Sequence, residues 1–267
     1  MIRWCSYCQR FMGESAPWHD SSMTHGICKA CSSKKANHNS QQISKIQPIV
    51  AAYRQMRQAL NERRIDDCLK MVRKAQIELG IPPFDLFMGV VQPLLHEIGT
   101  LWSQKKITIA EEHQFTAFAE VLLSNLLNAE SGDRVSDSAE NIDVVLACAN
   151  GNYHTIGPRA LEFALRNAGF VTKLFVPGLP AQDIVAIVRR LRPTYLGISA
   201  SVDGQIEEVK AIMAELENYS ETSGITVFVG GAAVRSNPPV WKELKSSNLM
   251  IAPTEIEELI HSLKKSA

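Results

Sequence analysis

The chain has 267 residues, 45% of them hydrophobic, with 28 Lys+Arg against 28 Asp+Glu. That length argues for about two or three small domains of soluble globular type. Balanced charge excludes bulk electrostatic attraction to nucleic acid or an anionic membrane; no apolar run approaches the ~20 residues of a membrane helix, and no signal peptide opens the chain.

Residues 1–36 are rich in Cys and His and show little periodicity. Cys5-x-x-Cys8 and Cys28-x-x-Cys31 are separated by nineteen residues. Four thiolates at this spacing fit one tetrahedral zinc, which would hold so short a segment folded. Cys68 and Cys148 stand alone. Without a secretory signal, this cysteine usage points to a reducing cytoplasm and metal binding, not disulfides. Trp4, Tyr7 and Trp18 form either a contact surface or a small core, and His19, His25 and His38 take no assigned role. Such a ribbon binds DNA, binds protein or only staples structure; its pattern does not separate these. Residues 32–42, rich in Ser, Lys, Asn and Gln, read as a linker.

From about residue 43 to 130 the pattern is helical, as in Asp67–Ala75, where apolar residues recur at helical spacing. Gly80-Ile81-Pro82-Pro83 ends one helix and Phe84–Leu101 forms the next. Thr108-x-x-Glu111 is a capping box that starts another. A helical hairpin then brings Trp102 together with the pair Glu112-His113. Residues 131–141 read as a second linker.

Beyond it, strands are expected at Ile142–Ala149, Val171–Val176, Tyr195–Ser199, Ile225–Gly230 and Asn248–Ile251. Helices are expected between and after them at Gly157–Ala168, Ala181–Leu191, Gln205–Glu217, Pro238–Leu244 and Glu255–Lys265. Near-continuous apolar strands with helical crossovers predict a doubly wound, five-stranded parallel sheet of Rossmann-like or flavodoxin-like type over residues 140–267. The expected fold is therefore α/β: a zinc ribbon (1–36), a four-helix-bundle cap (43–130) and this sheet. Ligands of such sheets bind outside the carboxyl ends of the strands. His154, Ser199, Ser201, Gly230 and Gly231 all fall there.

The stretch Asn152-Tyr153-His154-Thr155-Ile156-Gly157 is followed after forty-one residues by Ser199-Ala200-Ser201, and after twenty-eight more by Gly230-Gly231. This resembles the cobalamin-binding signature Asp-x-His-x-x-Gly, Ser-x-Leu, Gly-Gly. The resemblance implies His154 as lower axial ligand to cobalt, a metal that imidazole suits. It implies that Gly157 lets the loop approach the corrin, that Ser199 and Ser201 hydrogen-bond the nucleotide tail, and that Gly230 and Gly231 leave its slot open. Asn152 replaces the usual acid; its amide oxygen is expected to accept from the imidazole N–H without adding negative charge. Ser201 replaces the usual Leu.

Trp102, nine residues and Glu112-His113 resemble the Trp-x9-Glu-His motif of CarH-type photoreceptors, which bind adenosylcobalamin beneath a four-helix cap. The resemblance covers roughly residues 45–267. It implies that Trp102 packs by the upper ligand and that Glu112 and His113 line the same pocket. A histidine that follows the Trp in that family is Ser103 here, so only His113 or His96 remains to bind cobalt from above after loss of the adenosyl group. The zinc segment stands where the family carries a MerR-type DNA-reading domain. The function expected is a cytoplasmic, non-enzymatic, cobalamin-dependent sensor of light. It would act on transcription or signalling through a protein partner or a change of homo-oligomer, with DNA contact through the ribbon left open. A corrinoid carrier subunit of a methyltransferase is the alternative, and a haem-binding regulator of the same domain type the third.

Overall fold

The computed structural model describes residues 1–15, 17, 20, 22–33, 46–130, 141–236, 241, 244, 248–253 and 256–266. Trp18, His19, His38, Glu255, most of both expected linkers and most of the expected helix Pro238–Leu244 lie outside the described residues. The chain divides into two compact units, Met1–Glu130 and Ser131–Ala267.

The first unit opens with a three-stranded sheet: β1 (Ile2–Cys5) lies between antiparallel β2 (Phe11–Glu14) and parallel β3 (Met23–Gly26). A single turn, α1 (Lys29–Ser33), carries Cys31. Helices α2 (Ile46–Asn61) and α3 (Ile65–Glu78) follow. Each buries an apolar stripe at helical spacing: Ile49, Tyr53, Met56 and Leu60 on α2; Ile65, Cys68, Leu69 and Val72 on α3. Gly80, at φ +58°, ends this pair, and Pro83 at the first helical position starts α4 (Pro83–Leu86).

The helix expected over Phe84–Leu101 is interrupted. Phe87–Val91 forms a π turn, fully buried, before α5 (Gln92–Ser103) resumes the regular pitch. Residues 104–108 then turn the chain into α6 (Ile109–Glu130). The capping box is present: the Thr108 amide donates to Glu111 Oε2 at 2.7 Å, and the Glu111 amide donates back to Thr108 Oγ1 at 3.2 Å.

The second unit is the parallel sheet, in the order β5-β4-β6-β7-β8: β4 (Val144–Cys148), β5 (Thr172–Phe175), β6 (Tyr195–Ser199), β7 (Thr226–Gly230) and β8 (Leu249–Ile251). Helices α7 (Ile156–Asn167), α8 (Ala181–Leu191), α9 (Ile206–Glu217), α10 (Ala232–Ser236) and α11 (Ile256–Ser266) complete it. Alternate strand residues face opposite helical layers. Val145, Ala147, Leu196, Ile198, Val227 and Val229 pack with residues of α8 and α9, whereas Val144, Leu146, Tyr195 and Phe228 pack with Leu165, Leu259 and Leu263. Because both faces are buried, β4, β6 and β7 read as near-continuous apolar runs. The Tyr195 hydroxyl donates to the Leu263 carbonyl at 2.7 Å, tying the last helix to the central strand.

The N-terminal hydrogen-bond pair on α6 generates a pH prediction. The Thr108 backbone amide, the Arg63 guanidinium and the Thr108 hydroxyl hold the Glu111 carboxyl at about 2, below its ordinary 4.5. A depressed folded value means its contribution is complete above pH 4.5 and disappears as pH falls toward 2. In urea titrations, Glu111→Gln, which keeps the capping box but loses the charge, should therefore destabilise the helical unit near neutrality by roughly 0.5 kcal/mol. The gap between variant and parent should close in that acid window.

Candidate functional site

The strand order places the direction change of the sheet between β4 and β6. At such a switch point the loops leaving the two strands part and open a crevice at their carboxyl ends. The β4 loop runs from Ala149 to Thr155 and bears His154; the β6 loop starts at Ala200 and bears Ser201. Cys148, Ser199 and Gly230 lie in register across this edge.

Asn152 organises the β4 loop. It is fully buried. Its amide donates to the Ser199 carbonyl at 2.9 Å, and its side-chain oxygen accepts from the His154 backbone N–H at 3.0 Å. The oxygen expected to meet the imidazole thus closes a turn on the backbone two residues on, a habit of Asn side chains. An aspartate could accept there but could not donate to the Ser199 carbonyl. The departure from the acidic pattern therefore has a local reason. The His154 ring and Tyr153 are both exposed, Tyr153 by 78%.

Two residues outside the sequence-based site set complete this framework. Gly178 donates its amide to the Asn152 carbonyl at 2.9 Å, and a Cβ placed there would come within 2.2 Å of the Ala149 oxygen. Gln205 is buried, and its side-chain oxygen accepts from the Ser201 amide at 2.7 Å. Across β6, Gly231 adopts φ +121°, and a Cβ there would lie 2.0 Å from the Ala200 oxygen. Gly231 thus serves close backbone packing, while a Cβ on Gly230 would meet only Ala252, at 3.3 Å.

Gly157 is different. Its φ is not in the left-handed region, it lies in the first turn of α7, and a Cβ there would meet nothing within 4 Å. Among the described residues no packing explains a residue that weakens helices. An open glycine beside an exposed imidazole at a sheet switch point leaves room for a large planar ligand against the loop. The donor set therefore fits cobalamin. Burial pushes the Cys148 thiol up to about 11 despite its hydrogen bond to Ser199, so this neighbour is inert.

In the first unit, Trp102 is 48% exposed at the end of α5. The carboxylate of Glu112 pairs with Nδ1 of the exposed His113 ring and accepts from Thr116 Oγ1 at 2.8 Å. The α5–α6 turn sets these residues at the same end of one hairpin. Ser103 donates its hydroxyl to the Thr100 carbonyl at 2.8 Å, and His96 is exposed.

The sulfurs of Cys5, Cys8, Cys28 and Cys31 lie within 4.8 Å of one another. Those of Cys8 and Cys28 are 3.7 Å apart. Four ligands at a zinc–sulfur distance of about 2.3 Å on a tetrahedron would be about 3.8 Å apart. Burial raises the Cys5 thiol, but amide donors from Cys8, Cys28 and Tyr7 outweigh it and hold the thiol at about 6. Burial and its sulfur neighbours push Cys31 up to about 12. Such a cluster can ionise fully only around a cation.

Comparison with known proteins agrees with this geometry. Residues 142–245 match the family model of a B12 binding domain, and residues 52–127 match a second model of the same description. Sheet, helical module and matches define a cobalamin-binding protein of two modules. The HTH-type transcriptional repressor CarH of Myxococcus xanthus is 30% identical over 187 residues, 70% of this chain. This chain spans 58% of that repressor. The chain thus carries two B12-binding matches and is related in sequence to that repressor. Dimethylamine corrinoid protein 3 of Methanosarcina acetivorans is 22% identical over 165 residues, 61% of this chain and 75% of that protein. The solved monomethylamine corrinoid protein of Methanosarcina barkeri shares the fold, with a TM-score of 0.60 at 16% identity over 79% of this chain and 96% of that one. No helix among the described residues is long and apolar enough to cross a membrane.

The clamped glycines yield a direct test. Gly231→Ala and Gly178→Ala should each lower the stability of the sheet unit by about 1–3 kcal/mol, because a methyl group must displace backbone rather than a mobile side chain. Gly157→Ala should leave stability unchanged or slightly raised. Thermal unfolding of the three variants checks this order.

Proposed function

We propose that this chain is a cobalamin-dependent sensor that reads the upper ligand of adenosylcobalamin, with light as its stimulus, and passes the change to transcription or signalling. The observation that carries the reading is Trp102. An indole left half exposed at a helix end, in one hairpin with the Glu112–His113 pair, offers a surface that the described residues of its own unit do not cover. The CarH-like sequence relationship supports assigning that surface to the upper ligand.

In this reading His154 is the lower axial ligand, held by a loop whose position is set by Asn152 and Gly178. Ser199 and Ser201 bind the nucleotide tail beside Gly230 and Gly231. Bound adenosylcobalamin would supply a cobalt–carbon bond that visible light breaks. Trp102 provides the wall that distinguishes a bulky upper group from a small one, and only such differential contact can bias two arrangements of the helices. The output is a change in homo-oligomer or in affinity for a protein partner, and the chain itself catalyses no reaction. Cys5, Cys8, Cys28 and Cys31 hold one zinc. A corrinoid carrier is the competing reading, favoured by the corrinoid-protein relatives.

His154→Ala should weaken cobalamin binding by roughly tenfold or more and leave the bound corrinoid with a base-off absorption spectrum. An unchanged spectrum and affinity would remove His154 from the site.

With adenosylcobalamin bound, illumination should change elution volume or partner affinity. Methylcobalamin or hydroxocobalamin should not reproduce the dark state, and Trp102→Ala should blunt the distinction. Light that alters the spectrum and neither other property would favour the carrier, which instead accepts a methyl group from a partner enzyme on reduced cobalt.

A further inference from the structure

Gly89 sits inside the π turn, where a glycine costs about 1 kcal/mol relative to alanine. Its φ is not in the left-handed region, so backbone conformation does not require it. What requires it is the indole of Trp4. A Cβ at position 89 would lie 2.2 Å from Trp4 Cζ2, 2.8 Å from Cε2 and 2.9 Å from Phe11 Cδ2. Trp4 and Phe11 meet edge to face with ring centroids 6.0 Å apart. Two strands of the cysteine-bearing sheet therefore press aromatic rings directly onto helix backbone.

Trp4 has no measurable exposure, nor has Cys5, the next residue and one of the four sulfur ligands. The Trp4 indole N–H is buried without a hydrogen-bond partner among the described residues. Shape alone holds the ring in the notch, so its position depends on the strand that carries it. That strand belongs to a sheet of three four-residue strands. Such a sheet has too little apolar surface to persist unaided. On the other side of the notch, the π turn leads without interruption into α5, which ends at Ser103, one residue past Trp102.

We propose that the four-cysteine metal site is a structural part of the helical unit: bound metal keeps β1 folded, β1 seats Trp4 in the Gly89 notch, and the seated ring fixes the π turn and α5. The proposal rests on the zinc reading of the cluster and extends it from a local staple to a determinant of the helix that carries Trp102. Coupling of this kind is reciprocal, so a disturbance at Gly89 must weaken the metal as much as metal loss disturbs Gly89.

The test uses the full chain, zinc alone as the added metal, metal analysis and amide hydrogen exchange. Purified protein should hold about one zinc. Removing it with a chelator should speed exchange roughly tenfold or more across residues 83–103 as well as 1–33, leave residues 142–230 unchanged, and be reversed by zinc. Trp4→Ala should speed exchange over 83–103 even where zinc is retained, and Trp4→Phe should do so less. Gly89→Ala, which touches no cysteine, should lose zinc to a competing chelator roughly tenfold more readily. If the protein neither holds nor takes up zinc, the metal reading itself falls and the proposal with it. If zinc is held but its removal perturbs only residues 1–33, or Gly89→Ala retains zinc like the parent, the coupling is overturned and the zinc reading stands.

Discussion

The site depends on close approach of backbone to backbone at the carboxyl edge of the parallel sheet. Gly178 and Gly231 lie against main-chain oxygens of Ala149 and Ala200 with no room for a side chain. Asn152 then bridges β4's loop to the end of β6 with one amide. The loops are thus clamped by backbone and by one buried polar group, whose hydrogen bonds would be costly to leave unmade. The remaining freedom lies with outward side chains, His154 and Tyr153 on one loop and Ser201 on the other. A rigid edge bearing a few exposed donors is what a large, flat cofactor needs, since it can be held without the loops ordering around it.

Much of this architecture was legible in the sequence. The strands β4, β6 and β7 could be read because burial on both faces makes each a near-continuous apolar run, and α8 because it carries a strong amphipathic stripe. The capping box of Thr108 and Glu111 is a local pattern and was readable for the same reason. Features that depend on distant partners were not. The π turn at Phe87–Val91 has the apolar content of an ordinary helix, and only Trp4, far away in sequence, explains its glycine. The Cys-rich segment shows little periodicity because Phe11–Glu14 and Met23–Gly26 mix apolar, polar and glycine residues and are only partly buried. The five residues of α10 are too few to show helical periodicity.

The candidate site divides along the same line. Spacing points to His154, Ser199, Ser201 and the Gly-Gly pair as candidates, but not to which glycine does what. Gly231 is needed by the fold and Gly157 is not, a distinction visible only when a Cβ is placed at each. The hydrogen bonds of Asn152 within the fold are hidden for a related reason. Its nearest acceptor task is the loop's own backbone, and its donor task is a carbonyl forty-seven residues away. Gly178 acts through its close approach to Ala149 and its bond to Asn152, and Gln205 by accepting from the Ser201 and Val202 amides, contacts that only the folded loops reveal.

Cobalamin carriers and cobalamin sensors share this sheet, so the histidine loop alone does not separate them. The account differs from a carrier in the role given to the helical unit's exposed indole and in the four-cysteine segment packed into that unit. The sensor and the carrier readings alike rest on the premise that His154 binds cobalt. That premise is tested most directly by electron paramagnetic resonance of the protein loaded with cob(II)alamin, with histidine labelled with the heavy nitrogen isotope. The account predicts that the superhyperfine splitting changes from a triplet to a doublet on labelling, and that the change is lost in His154→Ala. A triplet unaffected by labelling would mean that the corrinoid's own base remains on cobalt, and would contradict the account.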